Sequence, residues 1–329
     1  MEAEIRAALT RMNLGATLEG LHVRDGQAQV SLSIRREDAA ALERRRPEIE
    51  ATIAALPGIA RAAVIFTAER ETQPAPALLP EVKNIIAVAS GKGGVGKSTV
   101  AVNLALALAE AGRRVGLLDA DIHGPSLPRM LGLTARPEVR DKTILPLHAW
   151  GVACMSIGLL VPEETAMIWR GPMVMGALTQ LLGQVAWGAL DVLVIDLPPG
   201  TGDAQLTLAQ KLRLRGAVIV STPQDIALID ARRGAKMFEQ TRVPVLGIVE
   251  NMSYFACPHC GGRSEIFGHG GARAEAGRIG VPLLGEVPLL PLIRETGDAG
   301  TPVMAAAPRS EAAAAFRAIA DRVAAALAA

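Results

Sequence analysis

Two adjoining segments set the fold, IIAVAS at positions 85–90 and GKGGVGKST at positions 91–99. A short apolar run of this kind is typical of a buried strand, and it leads directly into a glycine-rich loop. A helical pattern follows from Val100, with Leu104 and Leu108 on one face. The order of strand, G-x-x-x-x-G-K-[ST] and helix distinguishes a phosphate-binding loop from a glycine turn that binds nothing. The sequence therefore predicts that the chain binds a nucleoside triphosphate.

The loop residues have distinct expected roles. The glycines allow backbone N–H groups to converge on phosphate oxygens. Lys97 can reach the β- and γ-phosphates, and Ser98 offers its hydroxyl to Mg²⁺. We expect nucleotide contacts from Gly91, Lys92, Gly93, Gly94, Val95, Gly96, Lys97, Ser98 and Thr99.

Lys92 is a second lysine in the loop, in a chain that has only six lysines. A loop with this extra lysine resembles that of the MinD/ParA/nitrogenase-iron-protein class, in which the lysine points across a dimer interface at the partner's nucleotide. The resemblance implies a homodimer and a catalytic role for Lys92. The alternative is a lysine on a solvated edge of the loop.

Composition narrows the class of protein. The chain has 329 residues, of which 50% are hydrophobic and 3% aromatic, and its formal net charge is +1. Such a charge gives no reason to expect nucleic acid or an anionic membrane as a partner. No apolar run reaches the ~18 residues of a membrane span, and the acidic first residues do not resemble a signal peptide. Three cysteines in so long a chain indicate a reducing compartment, so we expect a cytoplasmic protein.

The length suggests two domains. Residues 1–68 are expected to form a small α+β domain, in which an Asp-Gly turn between alternating apolar runs predicts a hairpin. A helix over 37–56 should be interrupted or kinked near Pro47. Residues 69–81, rich in proline, are expected to be a linker, and residues 82–329 the phosphate-loop domain.

In the second domain, apolar runs alternate with helical patterns. Strands are expected at 114–119, 152–157, 192–196, 217–221, 245–249 and 282–287, with helices at 173–187 and 310–328. This alternation predicts an α/β fold, a P-loop NTPase with a parallel sheet and helices on both faces.

Aspartates follow two of the expected strands. Because the carboxyl ends of parallel strands face the ligand, Asp119, Asp121 and Asp196 should all approach the phosphates. Asp196 matches the aspartate that organises Mg²⁺ in phosphate-loop enzymes, and Asp121 is the candidate for orienting the attacking water. A glycine within 198–203 can turn an N–H toward the γ-phosphate. Each aspartate could instead be a helix cap.

The pair Cys257 and Cys260 has several possible uses. A redox role is disfavoured because glycines, rather than a helix, follow the second cysteine. Zinc needs four ligands, to which His259 and His269 could contribute. Two thiolates are half a site for zinc or for a [4Fe–4S] cluster, and a two-fold dimer would supply four. Cys154 lies in an apolar run and is expected to pack in the core.

Several motifs together resemble the Mrp/ApbC family of ATP-dependent iron–sulfur cluster carriers. They are 91–99, 119–126, 169–173 (WRGPM), 196–203, 251–253 (NMS) and 257–260 (CPHC). The resemblance implies an ATPase that holds a [4Fe–4S] cluster between two subunits, receives it from scaffold proteins and passes it to apo-proteins. It also implies that Asn251 hydrogen-bonds the base, with Pro288 on the other wall. Residues 1–68 are similar to the small domain often fused ahead of these carriers, but contain no cysteine, so we expect a docking or regulatory module.

Two alternatives share the loop. One is a MinD/ParA-like positioning ATPase with a bridging zinc, and the other an electron-donating reductase like the nitrogenase iron protein. Membrane-attached members of the first kind end in a basic amphipathic helix. The terminal helix here carries an apolar face without a basic cluster, so it should pack on its own domain. The residues of that face are Phe316, Ile319, Val323 and Leu327. The close spacing of the cysteine pair favours the carrier over the reductase.

Overall fold

The computed structural model describes residues 2–12, 14–24, 26–34, 38–68, 79–161 and 171–328. The chain forms two compact units, residues 1–75 and 76–329. Most of the expected linker, and Trp169 and Arg170 of the WRGPM motif, lie outside the described residues.

The first unit packs two helices against a three-stranded sheet. Strands β1 and β2 are antiparallel, β2 and β3 are parallel, and the order is β1-β2-β3. The elements are α1 Glu2–Arg11, β1 Thr17–Arg24, β2 Gln27–Ile34, α2 Ala39–Ala54 and β3 Arg61–Ala68. Pro47 lies inside one continuous helix, so the expected interruption of α2 is not found. Buried Val30, Leu32, Ile49 and Ile53 join this helix to the sheet.

The second unit is built on a nine-stranded sheet in its described part. Parallel strands follow in the order β14-β12-β11-β4-β10-β5-β9, and antiparallel β8 and β13 pair with β9 and β12. The strands of this sheet are β4 Val82–Ala89, β5 Val115–Asp119, β8 Leu147–Ala149, β9 Val152–Ser156, β10 Leu190–Asp196, β11 Gly216–Ser221, β12 Val245–Ala256, β13 Arg263–Ser264 and β14 Leu283–Leu289. Strands β6 Val139–Arg140 and β7 Thr143–Ile144 form a separate antiparallel pair.

Helices cover both faces of this sheet. Along β4, Ile86 and Val88 enter one apolar cluster with α3 and α11, whereas Ile85 and Ala87 enter a second cluster with α5. This alternation makes the strands apolar throughout, as expected for a sheet buried on both sides. The helices are α3 Lys97–Glu110, α4 Leu127–Met130, α5 Gly171–Gly183, α6 Asp203–Lys211, α7 Asp225–Gln240, α8 Gly271–Ile279, α9 Pro291–Asp298, α10 Val303–Ala306 and α11 Glu311–Ala328.

The terminal helix α11 packs on its own unit, as predicted. Its apolar face is buried against α3 and β14, with Phe316, Ile319 and Val323 fully enclosed. Among the described residues, no helix is both long enough and apolar enough to cross a membrane.

Candidate functional site

The phosphate loop connects β4 to α3, and two of its glycines are required by geometry. Gly96 has φ 79°, and a Cβ there would lie 2.1 Å from Nδ2 of Asn251. Gly91 packs so closely on α7 that a Cβ would lie 2.3 Å from the backbone of Asp230. The helix begins at Lys97 rather than at Val100 as expected, so the loop ends on the helix N-terminus, where free N–H groups favour anions.

Lys97 forms a buried ion pair with Asp196, at the carboxyl end of the neighbouring strand β10. Lys97 Nζ lies 2.6 Å from Oδ1 of Asp196 and 3.3 Å from the hydroxyl oxygen of Ser98. The side chain of Lys97 is 6% exposed and that of Asp196 is fully buried. Burial raises the pKa of the Asp196 carboxyl, and the Lys97 ammonium opposes the shift.

The second oxygen of Asp196 fits a role in holding Mg²⁺. Among the described residues, Asp196 Oδ2 has no hydrogen-bond partner although it is buried. An orphaned carboxylate oxygen is costly unless another group satisfies it. The hydroxyl of Ser98 lies beside the same carboxylate, and oxygen donors of these two kinds are those that Mg²⁺ takes in phosphate sites. Ser98 and Asp196 therefore suit the ion that would accompany a bound triphosphate.

Asp121 lies on the wall of the cavity above the loop. Its Oδ2 is 4.0 Å from Lys97 Nζ, and its side chain is 15% exposed. The cavity has a volume of about 300 Å³. Its lining comprises Ser90, Lys92, Gly93, Gly94, Gly96, Lys97, Ser98, Thr99, Asp121, Ser126, Met130 and Pro199. Asp121 thus shares one cavity with the phosphate loop, and its role in orienting water stays a prediction.

Asp119 is not among the residues that line the cavity above the loop. It is fully buried, and its carboxylate accepts hydrogen bonds from the N–H groups of Asp121 and Leu127 and from the hydroxyl of Ser156. Burial, and then the charge of Asp196, raise the pKa of Asp119 to about 7. Its role in this structure is to hold the backbone that presents Asp121.

Asn251 and Pro288 line a second cavity of about 560 Å³ beside the loop. The Asn251 amide donates to the carbonyl of Val95 at 2.8 Å. Gly96 and Thr99, which the sequence predicts as nucleotide contacts, lie on the same wall. The remaining lining residues are Pro125, Ser126, Arg129, Met130, Met252, Leu289, Leu290, Ile293, Arg294, Gly297 and Asp298. Asn251 and Pro288 thus line one cavity beside the phosphate loop, and their contact with a base stays a prediction.

Lys92 is half-buried on the loop, and its ammonium makes no ion pair or hydrogen bond with any described residue. The backbone at Lys92 is held, because its carbonyl accepts from the hydroxyl of Ser90 at 2.9 Å.

The carbonyl of Ser90 accepts from Gly200 N–H at 2.9 Å, so this N–H points away from the cavity. Of the two glycines in the 198–203 segment, Gly200 is therefore not available to a γ-phosphate in this structure.

The cysteine pair lies in the tight turn between β12 and β13. Cys257 N–H donates to the carbonyl of Gly262, and Gly261 N–H donates to that of Cys257, each at 2.9 Å. Cys257 is half-buried and Cys260 exposed. The pKa of the Cys257 thiol is lowered, because backbone N–H groups of Cys260 and His259 and the Cys260 side chain point at its sulfur. Such a turn presents two cysteine sulfur atoms close together near the surface, an arrangement that suits metal binding.

Among the residues that the structure describes in one chain, no third ligand joins the pair. The described residues contain no group of three or more His, Cys, Asp or Glu side chains arranged to hold a metal ion, so neither His259 nor His269 completes a site. Cys154 packs in the core, as predicted, and burial raises the pKa of its thiol to about 12. The pair is half a site for any ion or cluster that needs four thiolates.

Comparison with known proteins gives the family. The model of a family described as ParA, NUBPL iron-transfer P-loop NTPase, matches residues 81–324. The chain belongs to this family of iron-transfer P-loop NTPases. An Escherichia coli protein named iron-sulfur cluster carrier protein is 58% identical over 248 residues, 75% of this chain and 67% of that protein. The resemblance to iron–sulfur carriers is thereby confirmed.

Solved structures support the same fold. A nucleotide-binding protein of Archaeoglobus fulgidus, in complex with ADP, is 44% identical, covers 68% of this chain and 88% of its own, and has a TM-score of 0.61. The septum site-determining protein MinD of Pyrococcus horikoshii, complexed with Mg-ADP, is 25% identical and has a TM-score of 0.55. The match covers 73% of this chain and 95% of the MinD chain. The predicted P-loop NTPase fold is confirmed. Residues 1–80 lie outside the region that the family model matches.

Proposed function

We propose that the chain is a cytoplasmic, homodimeric ATPase that carries a [4Fe–4S] cluster between its subunits and transfers it to apo-proteins. The observation that carries this proposal is the exposed turn of Cys257 and Cys260, which offers two thiolates and no third ligand among the described residues. A cluster of this kind takes four thiolates. A two-fold axis through the turn supplies them from two copies of the chain.

ATP chemistry is assigned to the loop side of the sheet. Lys97 stabilises charge on the γ-phosphate, and Asp121 orients the attacking water. Lys92, with no partner among the described residues, is free to reach the nucleotide of a second subunit. Asn251 and Pro288 hold the base. Ser98 and Asp196 would hold Mg²⁺, which would neutralise phosphate charge when bound.

The cluster is cargo rather than a resident cofactor. An interface cluster with two ligands per chain should be easier to release than one enclosed by four thiolates of one chain. ATP binding or hydrolysis would reposition the two halves, with scaffold proteins as donors. Residues 1–68, which contain no cysteine, act as a docking or regulatory domain, joined through residues 69–81 to the carrier domain 82–329.

The test is transfer from reconstituted protein to an apo-enzyme that requires a [4Fe–4S] cluster. The parent protein should activate this enzyme, and the double variant Cys257→Ala, Cys260→Ala should not. Cys154→Ala is the matched control, because it removes the one other cysteine, which is buried. A double variant that still binds and transfers the cluster would contradict the proposed site. Stoichiometric zinc without iron would favour the bridging-zinc alternative.

A further inference from the structure

Glu250 is a buried carboxylate that the ATPase and carrier roles do not use. Its exposure is zero, and both oxygens are satisfied. Oε1 accepts from the hydroxyl of Ser253 at 2.6 Å, and Oε2 accepts from the N–H of Ala272 at 2.7 Å. A buried charge is tolerated only when such strong hydrogen bonds replace its lost water. Glu250 therefore holds both donors firmly.

These two donors bracket the part of the chain that carries the cysteine pair. Residues 254–271, which we call the cysteine segment, comprise the end of β12, the turn with the cysteine pair, β13 and the connection to α8. Ala272 N–H is one of the free N–H groups in the first turn of α8, where a carboxylate is most favourable. One side chain thus fixes both ends of the cysteine segment.

The next residue, Asn251, contacts the phosphate loop. Its amide donates to the carbonyl of Val95, and Gly96 makes room for this amide, since a Cβ at Gly96 would lie 2.1 Å from Nδ2 of Asn251. Met252 then has φ 54°, a left-handed conformation that is strained for a side chain of this size. At this point the pairing of β12 with β14 shifts its register. Residues 250–253 therefore join the nucleotide loop to the cysteine segment through a sharply bent backbone.

We propose that Glu250 is a positioning residue that transmits nucleotide occupancy to the cysteine segment. A base that takes the amide of Asn251 draws it from Val95 and turns the peptide at Met252. Because Glu250 ties Ser253 to Ala272, both ends of the segment turn with it. This inference rests on the proposed function in one respect, that Asn251 contacts the base.

Hydrogen exchange of the backbone amides of 255–264, with and without MgADP, tests the proposal in protein that holds no iron. The result is therefore independent of whether the pair binds a cluster. In the parent protein MgADP should change the exchange rates by about fivefold or more, the range of typical coupling between sites. Glu250→Ala should lose this change while MgADP still binds, as measured by calorimetry.

Two further variants keep the test decisive. Glu250→Gln should retain most of the change, because its amide oxygen can accept from Ala272 while its NH₂ donates to the hydroxyl of Ser253. Ser253→Ala removes only the hydrogen bond from Ser253 to Glu250 and should reduce the MgADP-dependent change. It replaces Glu250→Ala in the test if that variant does not fold. The control is Glu275→Ala, which removes an equally buried carboxylate of α8 that binds Arg232 and Arg278 instead.

The outcomes separate clearly. Loss of the MgADP-dependent change in Glu250→Ala or Ser253→Ala, with retention in Glu250→Gln and Glu275→Ala, supports the proposal. An unchanged response in Glu250→Ala, or in Ser253→Ala, overturns it. So does a parent protein that binds MgADP without any change in residues 255–264.

Discussion

At the residue scale, we expect the buried ion pair of Lys97 and Asp196 to contribute both to stability and to ATP hydrolysis. Lys97→Ala should abolish ATP hydrolysis, because the charge on the γ-phosphate loses its cation. It should also lower the free energy of unfolding by about 3 kcal/mol, because a buried carboxylate is left without its partner. Urea unfolding and a phosphate-release assay measure the two effects.

The double variant Lys97→Ala, Asp196→Asn separates them. With no charge left buried, most of the stability should return, whereas hydrolysis should stay absent. A double variant no more stable than Lys97→Ala would show that the ion pair contributes little to folding in this protein.

Tyr254, the only tyrosine, reports on the strand that leads to the cysteine pair. Burial, and then its hydrogen bond to Glu311, raise its pKa to about 12. The folded state therefore keeps the phenol proton, and this contribution to stability is complete below about pH 10 and lost as the pH rises through 12. Phenolate absorbance at 295 nm should have a midpoint near 12 in folded protein, and a lower one in Glu311→Gln. A midpoint near 10 with native circular dichroism would contradict the assignment.

The local sequence pattern predicts the residues of the phosphate loop, but not which groups each nearby carboxylate contacts. Asp119 and Asp121 lie two positions apart at one strand end, and only the structure shows that Asp119 turns inward to three donors. Side-chain direction after a strand depends on the loop that follows, which carries no periodic signal. Glu250, like Asp196, is an acidic residue that follows a buried apolar run, so its sequence signal is comparable with that of Asp196. Its partner at Ala272 is too distant in sequence to be foreseen.

At the element scale, the buried parallel strands were well predicted because continuous apolar runs identify them. Strand β12 was expected over 245–249 but extends to Ala256. Its second half contains polar side chains that bond within the fold, such as Glu250 and Asn251, so its composition resembles that of a loop. Helix α5 ends at Gly183 rather than near residue 187, because the apolar pattern continues into buried Trp187 beyond the helix.

Contact between the loop and α7 gives a prediction for Gly91. Gly91→Ala should lower the free energy of unfolding of nucleotide-free protein by about 1–3 kcal/mol, because the new Cβ would overlap the backbone of Asp230. Gly93→Ala is the matched control, since no heavy atom lies within 4 Å of the position that its new methyl group would occupy. Equal urea midpoints for the two variants would contradict the contact.

At the scale of the whole molecule, Lys92 tests whether two copies of the chain act together. Lys92→Ala should stay folded but lose ATP hydrolysis. Mixed with inactive Lys97→Ala, it forms heterodimers in which one site lacks both lysines and the other has its own Lys97 and the partner's Lys92. Partial recovery of activity on mixing is the expected result. No recovery, with heterodimers proven by mass, would place the action of Lys92 within its own subunit or reveal strong coupling between sites.

Native mass spectrometry of anaerobically reconstituted protein tests the shared cluster most directly. Each chain supplies only Cys257 and Cys260, so we expect a dimer that holds one four-iron, four-sulfide cluster. Changing either cysteine to alanine should remove this cluster. A monomer that retains a complete cluster, or a dimer bridged by zinc with no iron, would contradict it.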